Sequence, residues 1–455
     1  MNSKKENIQK LIREEFPKIQ NQEDLLRLLN AIHEQTYATI FNRLNKPVPK
    51  IELKTLTYYK NVKLSGGKRY TQFTIKKKSG KDRIIQAPAK GLKLIQQCLN
   101  EIFQTYYEPN NYACGFIPER NIADGARQHV NMPYVLNIDL KDFFDTITFP
   151  RVKKVLSYPP FNLSCEREQL GYIITSLCCN SKEVTAIDAD GKEIKESRNC
   201  LPQGAPTSPI LTNIVCRSLD RHLAGLAHRY HAHYTRYADD ITFSCHYNIF
   251  KDDSEFIKEM HRIIEDEQHL TINRDKTRLQ TPRQRQEVTG LIVNRKVNVP
   301  KRYVKQIRLW LHYWEAFGYE RAQQYFIGQY VKHREHFMNS HDARIENVLA
   351  GKLDYMHMVV GDTRAFKQLK ARYDVLVESV VAPKQSGKRA KAVQEGKKNS
   401  DTTSVAATHI TTSDSIQPVP KNAPDFVAKE ELEVMLDGLI EDLKKDNVVY
   451  ELFGT

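Results

Sequence analysis

No stretch of about 18 consecutive apolar residues occurs in this chain of 455, so a membrane-spanning helix is not expected. The opening Met1-Asn2-Ser3-Lys4-Lys5-Glu6 also lacks the apolar segment of a secretory leader. Eight cysteines are scattered (Cys98, Cys114, Cys165, Cys178, Cys179, Cys200, Cys216 and Cys245), and no two are spaced as CxxC. That pattern argues against a zinc site and fits reduced, buried thiols, as in the cytoplasm. Acidic side chains are in deficit: 55 against 69 Lys and Arg, a formal charge of +14. Such a surplus suits a polyanionic partner, although a merely soluble basic protein would carry it too.

The charge is unevenly spread. Residues 425–455 hold nine acidic and three basic side chains, a net −6, which leaves about +20 on the rest. Within that piece Leu432, Met435, Leu436, Leu439, Ile440 and Leu443 fall on one face of a helix. Such an acidic amphipathic helix reads either as a docking element or as ordinary packing. Residues 381–424 are Lys, Ser, Thr, Gly and Pro with hardly a large apolar side chain, the composition of a flexible linker. Residues 1–50 read as a helical extension, 51–295 as mixed strands and helices, and 296–380 as helices rich in aromatic and basic residues. Asp188-Ala189-Asp190-Gly191, between two polar β-runs, reads as a hairpin tip.

Tyr237-Ala238-Asp239-Asp240 separates the β-runs His233–Arg236 and Ile241–Ser244. Adjacent carboxylates at a hairpin tip cannot both face a core, because strand side chains alternate, and holding them there is costly without a cation. Asp139 follows its own β-run, Tyr134–Ile138. Three carboxylates on neighbouring strand ends could hold two hard divalent ions, which stabilise attacking and leaving oxygens in a phosphoryl displacement. After Asp139 come Phe143 and Phe144. A ring at Phe144 would stack on a nucleotide sugar and collide with a 2′-OH, while core packing is the plainer reading for one of the two; Asp142 and Asp145 read as solvated or capping. In Leu201–Pro209, Gly204 lets backbone approach a ligand, Gln203 offers an amide, and the loop opens a helix suited to phosphate. Lys77 and Arg83 belong to a basic hairpin, Lys76–Ile85, able to neutralise a triphosphate or simply to be a solvated turn. Lys276, in Asn273–Thr277, is either a general acid for a leaving pyrophosphate or a surface lysine.

Taken in order, the basic hairpin, NIDLKDFFDTI, LPQGAPTSPILTN, YTRYADDITFS and NRDKT resemble the successive motifs of a reverse transcriptase over about residues 70–280. Val288-Thr289-Gly290 is similar to the VTG of bacterial retron enzymes, which that family uses to recognise its own structured RNA. Gly125-Ala126-Arg127-Gln128-His129 resembles the retron NAxxH segment, with Gly125 standing where the family has Asn. The resemblance, over residues 50–378, implies an α+β right-hand polymerase with fingers, an antiparallel-sheet palm and a helical thumb. It implies RNA-directed DNA synthesis with Asp139, Asp239 and Asp240 holding two Mg²⁺, aided by Lys276. Lys77, Arg83, Phe144, Gln203 and Gly204 would bind the dNTP. Val288, Thr289, Gly290, His129, Arg302 and Arg308 would contact RNA. The partners would be a structured non-coding RNA, its cDNA and dNTPs in a bacterial cytoplasm, in anti-phage defence, with an effector protein or self-association through the C-terminal helix. Two other readings stay open: a defence-type reverse transcriptase with another, protein-primed scheme, and a non-catalytic RNA-binding scaffold.

Overall fold

Side-chain alternation along four strands gives the central sheet two faces of opposite chemistry, and the rest of the chain is arranged around that division. The computed structural model describes residues 2–43, 45–76, 82–187, 193–334 and 343–381. Its strands, in chain order, are β1 (Tyr70–Lys76), β2 (Asp82–Pro88), β3 (Tyr134–Lys141), β4 (Asn180–Ile187) and β5 (Glu193–Cys200). They continue with β6 (His233–Tyr237), β7 (Asp240–Cys245), β8 (Thr271–Gln280), β9 (Glu287–Val288) and β10 (Leu291–Ile292). The palm sheet has the order β6-β7-β3-β8, antiparallel throughout. β1–β2 and β4–β5 form separate hairpins, as the turn residues implied.

On one face of the palm, Leu136, Ile138 and Leu140 of β3, Ile241 and Phe243 of β7 and Tyr234 of β6 are buried in a single core. Helices Ser208–Val215, Arg217–Arg229 and Glu255–His261 contribute to it, with the Phe243 and Phe256 rings 5.2 Å apart. Helix Arg217–Arg229 presents Leu219, Leu223, Leu226 and Ala227 at helical spacing, which is why it lies flat there. Register puts Asn137, Asp139, Thr235, Asp240, Thr242 and Ser244 on the other face. This face is polar, and its groups satisfy one another: Asn137 Nδ2 donates to Thr242 Oγ1 at 3.2 Å.

The first 43 residues are no separate appendage. Ile12, Phe16, Leu25, Leu29 and Ile32 join the same core as the palm, and Arg167 donates to the carbonyls of Phe16 (2.7 Å) and Ile19 (3.0 Å). The segment expected to form a thumb folds as the helical stretches Lys301–Arg334, Ile345–Val360 and Arg364–Val381. Its core reaches below residue 296, taking in Ile122, Ala126, Val135, Val288 and Leu291. The first thumb segment is broken at Gly318 (φ 77°, ψ 170°) and doubles back. Tyr313 stacks on Tyr325 at 3.9 Å and Trp310 meets Phe326 at 5.0 Å. In an unbroken helix Tyr313 and Tyr325 would stand about 18 Å apart.

The linker after residue 381, the acidic 425–455 segment, Lys77 and the 188–192 tip lie outside the described residues. Among the described residues no helix is long and apolar enough to cross a membrane. A Cβ at residue 318 would meet nothing within 4 Å, so a side chain there is opposed by the backbone alone. Gly318→Ala is therefore expected to cost about 1–3 kcal/mol, checked by denaturant unfolding of the two proteins.

Candidate active site

Tyr237 pairs directly with Asp240, so Ala238 and Asp239 form a two-residue turn between β6 and β7. Ala238 has φ +56°, an unusual conformation for a residue with a side chain, and three contacts hold it. Arg236 Nη1 donates to the Ala238 carbonyl at 3.1 Å, and Leu140 N donates to the Asp239 carbonyl at 3.0 Å. From above, Gly115 comes so close that a Cβ would lie 3.0 Å from Ala238 N.

Arg236 is wholly buried, and its charge is answered by Asp220, equally buried on helix 217–229. Nε donates to Asp220 Oδ1 at 2.7 Å and Nη2 to Oδ2 at 2.8 Å, a bidentate pair. Tyr234 Oη donates to Asp220 Oδ1 at 2.8 Å and Asn110 Nδ2 to Oδ2 at 3.2 Å. Asn213, in the helix opened by the Leu201–Pro209 loop, accepts from Arg236 Nη2 at 3.2 Å and donates to the Gly115 carbonyl at 2.8 Å. One buried network thus ties the carboxylate turn to the two segments packed around it.

Asp139 lies directly opposite Asp240 in the β3–β7 register, on the same face, with Asp239 on the adjoining turn; all three side chains are half-buried. Burial, then the neighbouring Asp139, pushes the Asp239 carboxyl above its ordinary range. Burial followed by repulsion from Asp239 and Asp139 pushes Asp240 up to about 7. Arg83 and Lys276 oppose the shift at Asp239, and Arg278 and Lys276 oppose it at Asp240. Asp139 accepts from Asn273 Nδ2 at 2.9 Å and from Lys276 Nζ at 3.1 Å. A bulge brings Lys276 there: Asn137 pairs with Arg278 and Asp139 with Asn273, so residues 274–277 stand opposite Ile138 alone.

Three clustered carboxylates, two of them (Asp239 and Asp240) pushed above their ordinary range by burial and neighbouring charge, are a donor set suited to a hard divalent cation. Among the described residues, however, no three such side chains already stand as a ligand cluster, and the Lys276 ammonium holds one Asp139 oxygen. The donor set fits a cation that displaces Lys276.

Arg83, on β2, is half-buried, and its charge reaches Asp239. Gln86 N donates to the Gln203 carbonyl at 2.8 Å, docking the Leu201–Pro209 loop on the same strand. Gly204 has φ +125°, and a Cβ there would meet the Gln86 carbonyl at 2.8 Å, so both conformation and space require glycine. On its other side Leu201 N donates to the Ile147 carbonyl at 3.0 Å, joining the loop to the turn that carries Phe144. Phe143 is the core residue and Phe144 is half-buried. Asp145 is neither solvated nor a cap: it pairs with Lys182 at 2.6 Å.

The residues assigned to RNA divide. Arg302 and Arg308 are exposed on the thumb. Thr289 (φ +48°) and Gly290 (φ +78°) form the turn between β9 and β10, but Val288 is core. His129 is a correction. It is fully buried on the palm's polar face, with Nδ1 2.7 Å from Ser244 Oγ and Nε2 2.8 Å from Thr235 Oγ1, and burial lowers its pKa to about 3. A neutral imidazole with both nitrogens engaged joins β6 to β7 and offers nothing to RNA. The sequence reading missed Arg236, Asp220, Asn213 and Asn273. One signal was available, since Arg236 shares its strand face with the core residue Tyr234.

An antiparallel sheet that lifts acids on a tight turn, faced by a basic hairpin and flanked by a helical thumb, defines a right-hand polymerase. Residues 75–301 match the family described as reverse transcriptase (RNA-dependent DNA polymerase). The chain is 34% identical over 253 residues to the retron Mx65 reverse transcriptase of Myxococcus xanthus, covering 54% of this chain and 56% of that protein. It is 29% identical over 291 residues to the retron Ec86 reverse transcriptase of Escherichia coli, covering 63% and 79%. With the retron Mx162 reverse transcriptase of Myxococcus xanthus it shares 33% identity over 261 residues, covering 53% and 52%. The similarity thus spans between about half and four fifths of these relatives. Residues 75–301 are thus matched as a reverse transcriptase domain, and the relatives that the chain resembles are bacterial retron enzymes.

Two outcomes follow from the geometry. Asp220→Ala leaves a buried guanidinium unpaired and is expected to destabilise the fold by about 3–5 kcal/mol, read by chemical denaturation. Because the folded Asp240 carboxyl titrates near pH 7 rather than 3.8, its favourable contribution is present below about pH 4 and lost as pH rises through 7. In EDTA, Asp240→Asn is therefore expected to gain on wild type between pH 5 and 8, by about 1–2 kcal/mol after solvent screening. Calorimetry across that range checks it.

Proposed function

We propose that the protein is an RNA-directed DNA polymerase that copies a structured non-coding RNA into DNA. The observation that carries this reading is the placement of Asp139 opposite Asp240 with Asp239 on the adjoining turn. Asp139 and Asp239 would hold two Mg²⁺, with Asp240 in support. When bound, such ions polarise the α-phosphate, activate the primer hydroxyl and stabilise the leaving oxygen.

The chain's own side chains account for the rest of the site. Among the described residues Arg83 is held in no ion pair or side-chain hydrogen bond, and its proximity to Asp239 suits it to a triphosphate lying between fingers and palm. The Gln203 amide and the Phe144 ring lie on one tethered loop-and-turn unit, which suits them to test base-pair geometry and the absent 2′-OH. Lys276 serves as counter-charge to Asp139 in the empty-handed enzyme. On leaving that carboxylate it becomes available to a departing pyrophosphate, which links its two roles in one movement. Lys301, Lys305, Arg308 and His312 form an exposed stripe at helical spacing on the thumb, suited to a duplex backbone.

The retron setting further suggests branched RNA–DNA synthesis and a role in anti-phage defence. Gly125 does not weigh against it. A Cβ at that position would lie 3.2 Å from Cys114 Sγ, so local packing explains the glycine without invoking another priming scheme.

The test compares wild type with Asp239→Asn for dTMP incorporation on poly(rA)·oligo(dT) and for retention of RNA. The variant is expected to lose about a thousand-fold in rate, equivalent to about 4 kcal/mol, while still binding RNA. Undiminished synthesis by Asp239→Asn would sink the proposal; RNA binding by both proteins with synthesis by neither would favour a scaffold.

A further inference from the structure

Helix 217–229 does more than support Arg236. Its outward side carries Arg217, Arg221, Gly225 and Arg229 at intervals of four residues, all exposed, along about 18 Å of helix. Among the described residues none of the three arginines is held in an ion pair or a side-chain hydrogen bond, whereas the neighbouring Arg236 and Arg262 are. The acids beside the helix are answered chiefly by Arg262, which takes Glu259 at 2.8 Å and Glu267 at 2.6 Å; His222 also meets Glu267 at 3.0 Å, and the charge of Arg229 reaches Glu259 without an ion pair. Tyr112, exposed, packs its ring 5.8 Å from that of Tyr234, whose hydroxyl reaches Asp220 on this helix. An aromatic ring therefore lies near the first turn, where the charges of Arg217 and Arg120 converge on Tyr107.

Gly225 is the unusual member. A glycine in mid-helix costs about 1 kcal/mol relative to alanine, and here a Cβ would meet nothing within 4 Å. Internal packing gives no reason for it. A smooth saddle between Arg221 and Arg229 does allow a bulky chain to approach the helix closely.

Strand alternation fixes which side of the palm this is. The helix covers the face of Tyr234, Ile241 and Phe243, while Asp139 and Asp240 project from the other. We infer that the outer face of helix 217–229 is a second RNA-binding surface, gripping the phosphodiester backbone of a structured RNA behind the palm. Arginine forks suit phosphate oxygens, and the contact would be independent of base sequence. The helix exposes no large apolar side chain, so an amphipathic protein segment would find little to cover. The inference rests on the reading that this chain binds RNA.

The test uses the full chain, a fluorescein-labelled RNA of two linked stem–loops, and anisotropy across a KCl series. Arg217→Ala/Arg221→Ala/Arg229→Ala is expected to weaken binding about 10–100-fold and to lower the salt slope by about 2–3. Gly225→Met is expected to weaken binding several-fold with the slope retained. Extension of poly(rA)·oligo(dT) should be unchanged in both, since neither variant touches the cleft. Equal affinity and slope in wild type and triple variant would overturn the inference while leaving the polymerase reading intact. Tighter binding by the triple variant would mean that the arginines hold an acidic protein segment, and would overturn it too. Failure of wild type to bind the RNA would instead remove the functional reading on which it rests.

Discussion

Everything at the acid-bearing end of the palm depends on one buried ion pair. Arg236 and Asp220 are both inaccessible to water, so neither charge could persist without the other. Their pairing is bidentate and further satisfied by Tyr234, Asn110 and Asn213. This matters because the guanidinium also holds the Ala238 carbonyl, in a turn whose left-handed residue is not glycine. A residue in that conformation persists only where its surroundings over-determine it. Here they do, through Arg236 below, Leu140 alongside and Gly115 above.

The second organising constraint is the division of the sheet. One face is apolar and anchors helices 208–215, 217–229 and 255–261; the other is polar, carries the acids and packs against the second core, to which the C-terminal helices belong. His129 occupies the middle of the polar face, satisfying Thr235 and Ser244 across two strands. Removing water from those hydroxyls without a partner would be costly. The histidine is therefore part of what lets a polar sheet face be buried beneath helix Ile122–Arg127.

The three acids were legible in the sequence because their signal is local. A YADD turn between β-runs, with another acid ending a β-run upstream, needs no knowledge of the fold. The supporting residues were not legible for the opposite reason. Asp220 sits in Arg217-Ser218-Leu219-Asp220-Arg221-His222, which reads as a solvated helix face until Arg236 arrives from sixteen residues away. Lys276 could be placed near the acids by motif order, yet its contact with Asp139 comes from a bulge that no local pattern announced. His129 was misassigned because its burial is decided by Thr235 and Ser244, more than a hundred residues further on. Gly318 was passed over inside an aromatic-rich helical run whose rings pack on one another only because the chain reverses there.

Rigidity and charge at this site have to be considered together. Mutual repulsion among Asp139, Asp239 and Asp240 could be relieved if the turn moved, but its backbone is pinned on three sides. What remains is for the acids to take up a proton, to hold Lys276, or to hold a cation. A site that answers charge by binding rather than by moving is preorganised for charge that develops during reaction. The same ion pair that enforces this stiffness roots helix 217–229 against the sheet, and so fixes where its outer arginines point. In this fold a single buried contact sets the geometry of the acids on one face and of the basic stripe on the other. RNA held behind the palm would therefore sit at a constant distance from the carboxylates without competing for the cleft in which they act.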